Sequence, residues 1–340
     1  THNQFFQGEK RKMKILVTGG TGFTGSHLTR RLLEKGHHVV ALDNRPGLFF
    51  DELKQMGAEL HIGSVTDQEL VNKLTQGCEV VHHLAAAFRQ VNMPQSVYWN
   101  VNVEGTRYLL DAALNYGVKK FVYCSTCGVH GNVKHFPAGE DEPIAPADYY
   151  QYTKYEGEKI IPEYVDKGLK ALILRPGAIY GPGDPERFSI LFKRVKGGRF
   201  LMFGDGNVTY HPLYIQNLVD AFELAAASEK GSGEAYLIAD EKYYSLNDLV
   251  TAIGQSMGID VKIQHLPFAP LWVAAFITEM LYKPFPNVDP PIFRRRVDWF
   301  RQNRAFNIEK AKKELGYQAK VGLEEGLAET AKWYQEQGIV

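Results

Sequence analysis

The chain has 340 residues, of which 44% are hydrophobic, and its 39 basic side chains balance 39 acidic ones. The composition indicates a globular protein of one large domain or two lobes, with no net charge to favour a nucleic acid as partner. Only three cysteines are present, Cys78, Cys124 and Cys127, so a disulfide framework is excluded and a reducing, cytoplasmic setting is the simplest expectation.

The N-terminal segment, residues 1–12, reads "THNQFFQGEKRK" and lacks the apolar core of a signal peptide. We interpret it as a leader or a remnant of cloning. The most apolar stretch, Leu266–Leu281, contains Pro267, Pro270 and Glu279 and is short for a transmembrane helix. We therefore predict no membrane span, and a helix here that lines an apolar pocket.

Short apolar strands alternate with helical patterns through the first half of the chain. The predicted strands are "KILVTG", "HVVALD", "EVVHHLAA", "KKFVYCST" and "KALILRP", and amphipathic stretches such as Ser26–Lys35 and Val103–Tyr116 lie between them. This alternation is typical of an α/β fold, a doubly wound parallel sheet covered on both faces. It stops after Pro176, where a second, smaller lobe is expected.

A glycine-rich turn follows the first predicted strand. In "TGGTGFTG", Gly19, Gly22 and Gly25 have the spacing GxxGxxG. Gly19 permits a tight turn, Gly22 lets backbone amides approach a pyrophosphate at a helix N-terminus, and Gly25 allows close helix packing. The pattern predicts a Rossmann-type dinucleotide-binding domain, mainly residues 13–185. A substrate-binding lobe would be mainly residues 186–340, with a segment near 212–240 returning to the first domain.

An acidic residue ends the second predicted strand. Asp43 lies about twenty residues after the glycine turn, where a carboxylate can accept hydrogen bonds from ribose hydroxyls. This carboxylate would repel a 2′-phosphate, whereas Arg45 could attract one. The sequence therefore predicts NAD in preference to NADP.

Four tyrosines surround one lysine in "YYQYTKYEGE", residues 149–158. Residues three or four apart share a helix face. Of the four tyrosines, only Tyr150 lies four residues from Lys154, so only Tyr150 is a good geometric partner for the ammonium. A fixed positive charge favours phenolate and lowers the pKa of a phenol. We interpret the remaining three, Tyr149, Tyr152 and Tyr155, as packing or rim residues.

Five ordered motifs resemble those of the extended short-chain dehydrogenase/reductase family, in its epimerase/dehydratase group. They are TGxxGxxG as "TGGTGFTG", VxHLAA as "VHHLAA", NVxGT as "NVEGT", S-[ST]-x-x-VYG as "STCGVHG" and YxxxKxxxE as "YQYTKYEGE". The resemblance runs from Met13 nearly to the C-terminus. It implies Tyr150 as catalytic acid/base and Lys154 as the ribose ligand that lowers its pKa. It also implies Thr126 as the hydroxyl that orients the substrate oxygen, and Asn102 as a structural or proton-relay residue.

The resemblance further implies a homodimer and a set of NAD contacts. The backbone after Pro176, in "RPGAIYGPGD", corresponds to the family's RPxxVYGPGD and would meet the nicotinamide amide. The full predicted cofactor set is Gly19, Thr21, Gly22, Phe23, Thr24, Gly25, Asp43, Asn44, Arg45, Ser64, Val65, Leu84, Ala85, Ala86, Tyr150, Lys154, Pro176, Gly177 and Ile179.

Two patterns are interpreted as structural. "CSTC" has CxxC spacing, but no second pair completes a zinc site and its middle residues are the hydroxyl motif, so no metal is expected. His82 and His83 end a buried strand beside the predicted cofactor crevice. We interpret them as core histidines.

The substrate is less well specified. Nucleotide-sugar members carry an arginine and an aspartate in a segment like GDGxQxRDFxYVDD, where this chain has Tyr210 and His211, and their asparagine is replaced in the region of Gly177 and Ala178. "YIQNLVDA", "RPGAIYGPGD" and "PPIFRRRVDWF" look more like the 3β-hydroxysteroid dehydrogenase and dihydroflavonol reductase branch.

A dense basic run leaves a second route to a phosphate open. It comprises Arg294, Arg295, Arg296, Arg301 and Arg304, which are either phosphate ligands or a solvated packing patch. The candidate substrate ligands are Thr126, Tyr210, His211 and Arg295.

We therefore predict an NAD(P)-dependent oxidoreductase that transfers a hydride at a secondary alcohol or ketone of a small molecule. A nucleotide-sugar epimerase or dehydratase is the alternative. A non-catalytic dinucleotide-binding module is a third reading, and the presence of both Tyr150 and Lys154 disfavours it.

Overall fold

The structure, a computed structural model, describes residues 11–88, 93–184, 187–285, 288 and 290–340, without the side chains of Arg187 and Arg295. Most of the predicted leader, residues 1–10, thus lies outside the described residues. The strands are β1 (Lys14–Thr18), β2 (His38–Asp43), β3 (Glu59–Ile62), β4 (Val80–His83), β5 (Lys120–Cys124), β6 (Ala171–Pro176), β7 (Ala178–Tyr180), β8 (Arg199–Phe203), β9 (Thr209–Tyr210), β10 (Pro212–Tyr214), β11 (Ala235–Ile238), β12 (Tyr244–Ser245) and β13 (Lys262–Leu266).

Helices connect these strands, and several of them cover the two faces of the seven-stranded sheet. They are α1 (Phe23–Glu34), α2 (Phe50–Gln55), α3 (Gln68–Thr75), α4 (Gln95–Trp99), α5 (Gly105–Asn115), α6 (Tyr149–Asp166), α7 (Arg187–Val195), α8 (Ile215–Ala227), α9 (Leu246–Ser256), α10 (Phe268–Tyr282), α11 (Arg294–Val297), α12 (Glu309–Leu315) and α13 (Leu323–Glu336). A π-helical turn, Asn100–Glu104, joins α4 to α5. Short 3₁₀ turns span Cys127–His130 and Asp298–Phe300.

Seven of the strands form one parallel sheet in the order β11-β6-β5-β4-β1-β2-β3. In register, Ile15 lies opposite Val39 of β2 and Val80 of β4. The chain winds outward from β1 to β3 and then returns to β4, so a crevice opens at the carboxyl edge between β1 and β4. The predicted Rossmann-type parallel sheet is confirmed.

Three clusters of buried residues make up most of the core. One packs on the sheet face covered by α1 and α8, and a second on the face covered by α3, α5 and α6. Strands buried on both faces read as continuous apolar runs, as the sequence showed. The third cluster lies beyond the sheet and is rich in aromatic residues; we call it the outer cluster, and its members include Tyr180, Phe188, Phe192, Phe200, Tyr210, Tyr214 and Tyr334.

Two elements depart from the predictions. The strand β3 was not predicted, because "ELHI" is a partly exposed edge strand with a polar pattern. The apolar helix α10 forms as predicted but exposes much of its apolar surface: of its described side chains, only that of Ala275 is buried. No helix among the described residues is long and apolar enough to cross a bilayer.

Candidate active site

The glycine turn after β1 has the geometry that its spacing predicts. Gly19 has a φ of 68°, in the left-handed region that favours glycine. A Cβ added to Gly25 would lie 1.9 Å from the carbonyl oxygen of Gly19, so only glycine lets α1 pack this closely on the turn. Thr24 is half-buried in the first turn of α1.

Asp43 lies at the end of β2, against this turn. Its Oδ2 accepts hydrogen bonds from the backbone amides of Thr21 and Gly22, both at 3.1 Å, and from the Thr21 hydroxyl at 3.0 Å. A cavity of about 280 Å³ opens beside the carboxylate, lined by Thr21, Gly22, Phe23, Asp43, Arg45 and residues 46–49 and 183. Asn44 and Arg45 are exposed at its rim.

Lys154 is the buried charge of the site. Its side chain is 1% exposed, and its Nζ has no hydrogen-bond partner among the described residues. The Nζ lies 4.2 Å from the ring centroid of Tyr123, a cation–π contact. Burial lowers the pKa of Lys154 to about 8. An ammonium without hydrogen-bond acceptors is costly to bury. The position of the Lys154 Nζ therefore fits a ligand whose hydroxyl oxygens accept its hydrogen bonds.

Tyr150 lies one helical turn before Lys154, in the first turn of α6. Asp148 caps this helix by accepting the Gln151 amide at 2.8 Å. Tyr150 is half-buried and its ring centroid is 4.6 Å from that of Phe88. The other three tyrosines are partly or largely exposed: the rings of Tyr149 and Tyr152 contact each other at 5.7 Å, Tyr152 is 41% exposed, and Tyr155 is half-buried.

Thr126 lies just after β5, the strand that pairs with β4. Its hydroxyl accepts the Gly128 amide at 3.1 Å and so caps the 3₁₀ turn. Two glycines bring α6 against this strand. A Cβ at Gly128 would lie 2.9 Å from the side-chain nitrogen of Gln151, and a Cβ at Gly157 would lie 2.3 Å from the Tyr123 hydroxyl. Thr126, Tyr150 and Lys154 therefore sit on elements in direct contact.

Asn102 lies in the π-helical turn and is fully buried. Its side-chain amide bonds both backbone groups of Ala87, at 2.8 and 3.2 Å, and donates to the Thr153 hydroxyl at 2.9 Å. It therefore fastens the loop after β4 to α6, beside Lys154. A π-bulge at such a place is common near functional sites.

A buried ion pair that the sequence analysis did not single out underlies the site. Glu158 and Arg175 are 4% and 6% exposed, and Arg175 donates to both carboxylate oxygens at 3.0 and 2.6 Å. Ser125 also donates to Glu158. The pair joins β5, α6 and β6. The signal was a single arginine in the apolar strand "ALILRP", because a charge buried in a strand needs a partner.

The other predicted cofactor residues lie along the same edge of the sheet. Ser64 and Val65 lie beyond β3, and Leu84–Ala86 follow β4. Pro176 ends β6, Gly177 lies between β6 and β7, and Ile179 lies within β7. A Cβ at Gly177 would lie 2.9 Å from the His211 carbonyl. We call the residues at these strand ends, together with residues 19–25, Asp43, Thr126, Tyr150 and Lys154, the cofactor edge.

Two of the predicted substrate residues face inward. Tyr210 and His211 are each 2% exposed. His211 bonds the Asp240 carbonyl through Nε2 at 2.8 Å, and its Nδ1 accepts the Phe306 amide at 3.1 Å. Burial lowers the pKa of His211 to about 4. This neutral ring has both nitrogens engaged by backbone, and Tyr210 packs against Phe188 and Trp299.

The basic run is dispersed over several partners. Arg294 pairs with Glu279, Arg301 with Asp298, and Arg304 donates to Gln302. Arg296 stacks over Phe293 at 4.8 Å. The side chain of Arg295 lies outside the described residues. A second cavity, of about 330 Å³ at the end of α9, contains none of the predicted site residues.

The two histidines at the end of β4 are buried. His83 is bonded on both ring nitrogens, to Thr18 at 2.7 Å and Thr106 at 2.9 Å. His82 is buried edge-on against Phe222, and burial lowers its pKa to about 3. The three cysteines are free thiols, and no metal-binding group of three His, Cys, Asp or Glu residues occurs in the described part of the chain.

Comparisons with known proteins place this arrangement in a family. The model of the NAD-dependent epimerase/dehydratase family matches residues 15–239. A 3β-hydroxysteroid-dehydrogenase/decarboxylase of Arabidopsis thaliana is 32% identical over 93% of this chain and 78% of its own length. A 2-alkyl-3-oxoalkanoate reductase of Stenotrophomonas maltophilia is 31% identical over 93% of this chain and 97% of its own.

Among solved structures, a UDP-glucose 4-epimerase of Thermotoga maritima with UDP-glucose aligns at a TM-score of 0.77 and 29% identity. The alignment covers 96% of this chain and 99% of that one. The glycine turn, the carboxylate at the end of β2 and the unpaired Lys154 ammonium all fit a dinucleotide. The family match covers well over half of the sequence, so the chain belongs to the NAD-dependent epimerase/dehydratase family, and its cofactor is NAD.

Proposed function

We propose that the protein is an NAD-dependent oxidoreductase that acts on a secondary alcohol or the corresponding ketone of an apolar small molecule. The observation that carries the proposal is the pair on α6: a half-buried Tyr150 one turn before a Lys154 ammonium that is buried without a hydrogen-bond partner among the described residues. A binding module would not need that costly charge beside a phenol.

Residues of the cofactor edge hold NAD in this proposal. The amides of the glycine turn would bind the pyrophosphate, Asp43 would accept from the adenosine ribose, and the Lys154 ammonium would donate to the nicotinamide ribose. When bound, NAD would supply the hydride acceptor for oxidation of the alcohol, and its reduced form the hydride donor for reduction of the ketone. The sheet domain around residues 13–185 supplies these groups, and the lobe mainly of residues 186–340 covers the substrate.

Tyr150 moves the proton. In oxidation its phenolate takes the proton of the substrate hydroxyl while the carbinol hydrogen leaves as hydride, and in reduction its phenol returns the proton to the carbonyl oxygen. The positive charge of Lys154 favours the phenolate. The Thr126 hydroxyl, on the neighbouring strand, orients the substrate oxygen. Asn102 holds the loop after β4 against α6 and so acts as a positioning residue.

The environment beyond the sheet favours an apolar substrate. Tyr210 and His211, where the nucleotide-sugar pattern has charged anchors, are buried and face the aromatic outer cluster or backbone groups. Two relatives named above take a hydroxysteroid or an oxoalkanoate by name. The homodimer and the cytoplasmic setting stay predictions.

A nucleotide-sugar epimerase is the second candidate function. It is supported by the likeness to the Thermotoga maritima enzyme, which extends over nearly the whole chain. Both candidates use Tyr150 and NAD in the same way, and they differ in the group that anchors the substrate. A ligand screen therefore separates them.

Substitution of the phenol tests the chemistry. We expect Tyr150→Phe to lower turnover at least about a thousandfold, since general acid–base catalysis is lost, with NAD affinity changed less than about threefold. Tyr152→Phe, two residues away on the exposed side of α6, is the matched control and should keep full turnover. Retained turnover in Tyr150→Phe would overturn the assignment.

A thermal-shift screen with NAD present tests the substrate class, because a ligand that binds only the folded state raises the melting temperature. The panel contains UDP, GDP, dTDP and sterol-like alcohols. Stabilisation by an alcohol that also reduces NAD supports the proposal. Stabilisation by a nucleoside diphosphate, lost in Arg296→Ala or Arg295→Ala, would make the protein a nucleotide-sugar enzyme.

A further inference from the structure

The helix α10 exposes an apolar stripe along one side. Its residues Val273, Phe276, Ile277, Met280 and Leu281 are between 39% and 64% exposed. Their spacing of three and four residues puts all five on one face. Apolar residues scattered singly on a surface need no explanation, but a continuous helical stripe marks an interaction surface.

The opposite side of α10 is fixed to the protein. Ala275 is fully buried, and Phe268 and Leu271 pack against the outer cluster. Arg294 clamps the helix, because it donates to Glu279 at 2.8 Å and lies 5.1 Å from the Phe276 ring centroid. The stripe is therefore held outward on an anchored helix.

Three further exposed apolar side chains follow the helix in the chain. Phe285, Val288 and Ile292 are 59%, 51% and 37% exposed. Together with the α10 stripe they form one feature, which we call the apolar platform: Val273, Phe276, Ile277, Met280, Leu281, Phe285, Val288 and Ile292.

The segment that carries the apolar platform has an excess of basic residues in its sequence. The sequence from residue 268 to residue 304 has six basic residues against three acidic ones, a net charge of +3, whereas the whole chain is neutral. Two of the acids are engaged: Glu279 pairs with Arg294 and Asp298 with Arg301. The basic side chains of Lys283 and Arg296 are exposed beside the platform.

We infer that the apolar platform docks on an anionic lipid bilayer, with Lys283 and Arg296 against the headgroups. A helix of 15 residues is only about 22 Å long, shorter than the roughly 30 Å hydrocarbon core, so α10 lies in the interface and does not cross it. Apolar side chains enter the acyl boundary, and the basic side chains meet lipid phosphates. An apolar patch that bound a second copy would not need this excess of positive charge.

Flotation of the full chain with vesicles tests this inference without any substrate, so its result is independent of the proposed catalytic activity. We expect binding to phosphatidylcholine vesicles that contain phosphatidylglycerol, and weaker binding to phosphatidylcholine alone. The triple variant Ile277→Gln, Met280→Gln, Leu281→Gln should bind the anionic vesicles at least about a hundredfold more weakly, because three inserted side chains are lost. These side chains are exposed, so the fold is kept.

A matched triple variant, Tyr116→Gln, Ile190→Gln, Leu201→Gln, removes apolar residues of similar exposure elsewhere on the surface, 41%, 41% and 49%. It should bind vesicles like the unaltered protein. The double variant Lys283→Gln, Arg296→Gln should lower affinity about tenfold for anionic vesicles and leave the weak binding to neutral ones unchanged.

Three results would overturn the inference. The first is the absence of binding to anionic vesicles by the unaltered protein. The second is an equal loss of binding in the matched triple variant. The third is a dimer in analytical ultracentrifugation that the α10 triple variant converts to monomer, since a second copy would then cover the platform.

Discussion

The cofactor edge and the outer cluster differ in where their polar groups point. At the cofactor edge, the amides of the glycine turn bond the Asp43 carboxylate, and the Nζ of Lys154, on α6, has no hydrogen-bond partner in the described residues. In the outer cluster, polar groups lie among aromatic side chains: both ring nitrogens of the adjacent His211 bond backbone, whereas the Tyr180 hydroxyl and the Trp299 Nε1 are buried without a hydrogen-bond partner among the described residues.

This difference indicates how each region recognises a ligand. A region that leaves a buried charge unpaired is built for a polar partner of fixed shape, and the cost is recovered when that partner binds. A region lined mainly by aromatic side chains offers apolar contact, which selects by size and shape. Recognition through a buried charge accounts for the cofactor that the family shares. Recognition through apolar contact accounts for the variety of substrates among the relatives.

The largest expected effect is on the free energy of unfolding. It comes from substituting one buried carboxylate in each region. Glu158, near the cofactor edge, is paired with Arg175, whereas Asp240 beside His211 is held by Asn217 at 2.7 Å and by the Tyr214 amide at 2.9 Å. Glu158→Gln leaves a guanidinium buried without its counter-charge and should cost about 3–5 kcal/mol of unfolding free energy. Urea denaturation at pH 8 measures this.

Asp240→Asn is the contrasting variant. Burial raises the pKa of Asp240 to about 7, so the folded protein holds a proton that the unfolded chain releases near pH 4. Its stabilising contribution is present below pH 4 and is lost as pH rises through 7. At pH 8 the Asn variant should therefore be as stable as the unaltered protein or more stable. Equal losses in both variants would remove the distinction between the two carboxylates.

The sequence signals of the cofactor edge are local. Glycine spacing, Asp43 at a strand end and the four-residue step from Tyr150 to Lys154 each depend on residues that are neighbours in the chain. The parallel sheet and the family were confirmed from these signals. Even the catalytic roles, which stay proposals, depend on this short-range geometry.

What the sequence missed depends on long-range contacts. The partner of Arg175 lies 17 residues away on another element. The inward orientation of His211 depends on Phe306, 95 residues away. The apolar run at α10 was expected to line a pocket, yet hydrophobicity alone does not say whether a neighbour covers a helix. In the described structure one side packs and the other is exposed.

The next prediction contrasts two glycines. Gly25→Ala places a methyl group 1.9 Å from the Gly19 carbonyl, so the turn must move and NAD should bind about a hundredfold more weakly. Gly322→Ala, at the start of α13, meets nothing within 4 Å and should change NAD affinity less than twofold. Calorimetric titration of NAD compares them. Unchanged affinity in Gly25→Ala would show that the turn does not hold the pyrophosphate.

Lys154→Met separates stability from function. The methionine removes the donor to ribose and should weaken NAD about thirtyfold, while it removes a buried charge and should raise the unfolding free energy of the cofactor-free protein by about 1–2 kcal/mol at pH 7. The pKa of Lys154 is lowered to about 8, so the unaltered protein should gain stability between pH 8 and about 10.5, where the unfolded chain still binds the proton.

This gain with pH should be absent from Lys154→Met. Melting curves without NAD at several pH values measure it. A variant less stable than the unaltered protein at pH 7 would mean that the ammonium has a stabilising partner within the protein, and the cation–π contact with Tyr123 would then outweigh its burial.

The smallest effect concerns the choice between NAD and NADP. A carboxylate that accepts ribose hydroxyls is repelled by an added 2′-phosphate, so the unaltered protein should bind NAD more tightly than NADP. Asp43→Asn keeps the size of the side chain, removes its charge, and should weaken NAD about tenfold with little loss of NADP. Arg45→Gln, at the exposed rim of the same cavity, should weaken only NADP. Calorimetry that ranks NADP above NAD in the unaltered protein would mean that the Arg45 guanidinium decides the preference and that Asp43 mainly holds the turn through Thr21 and Gly22.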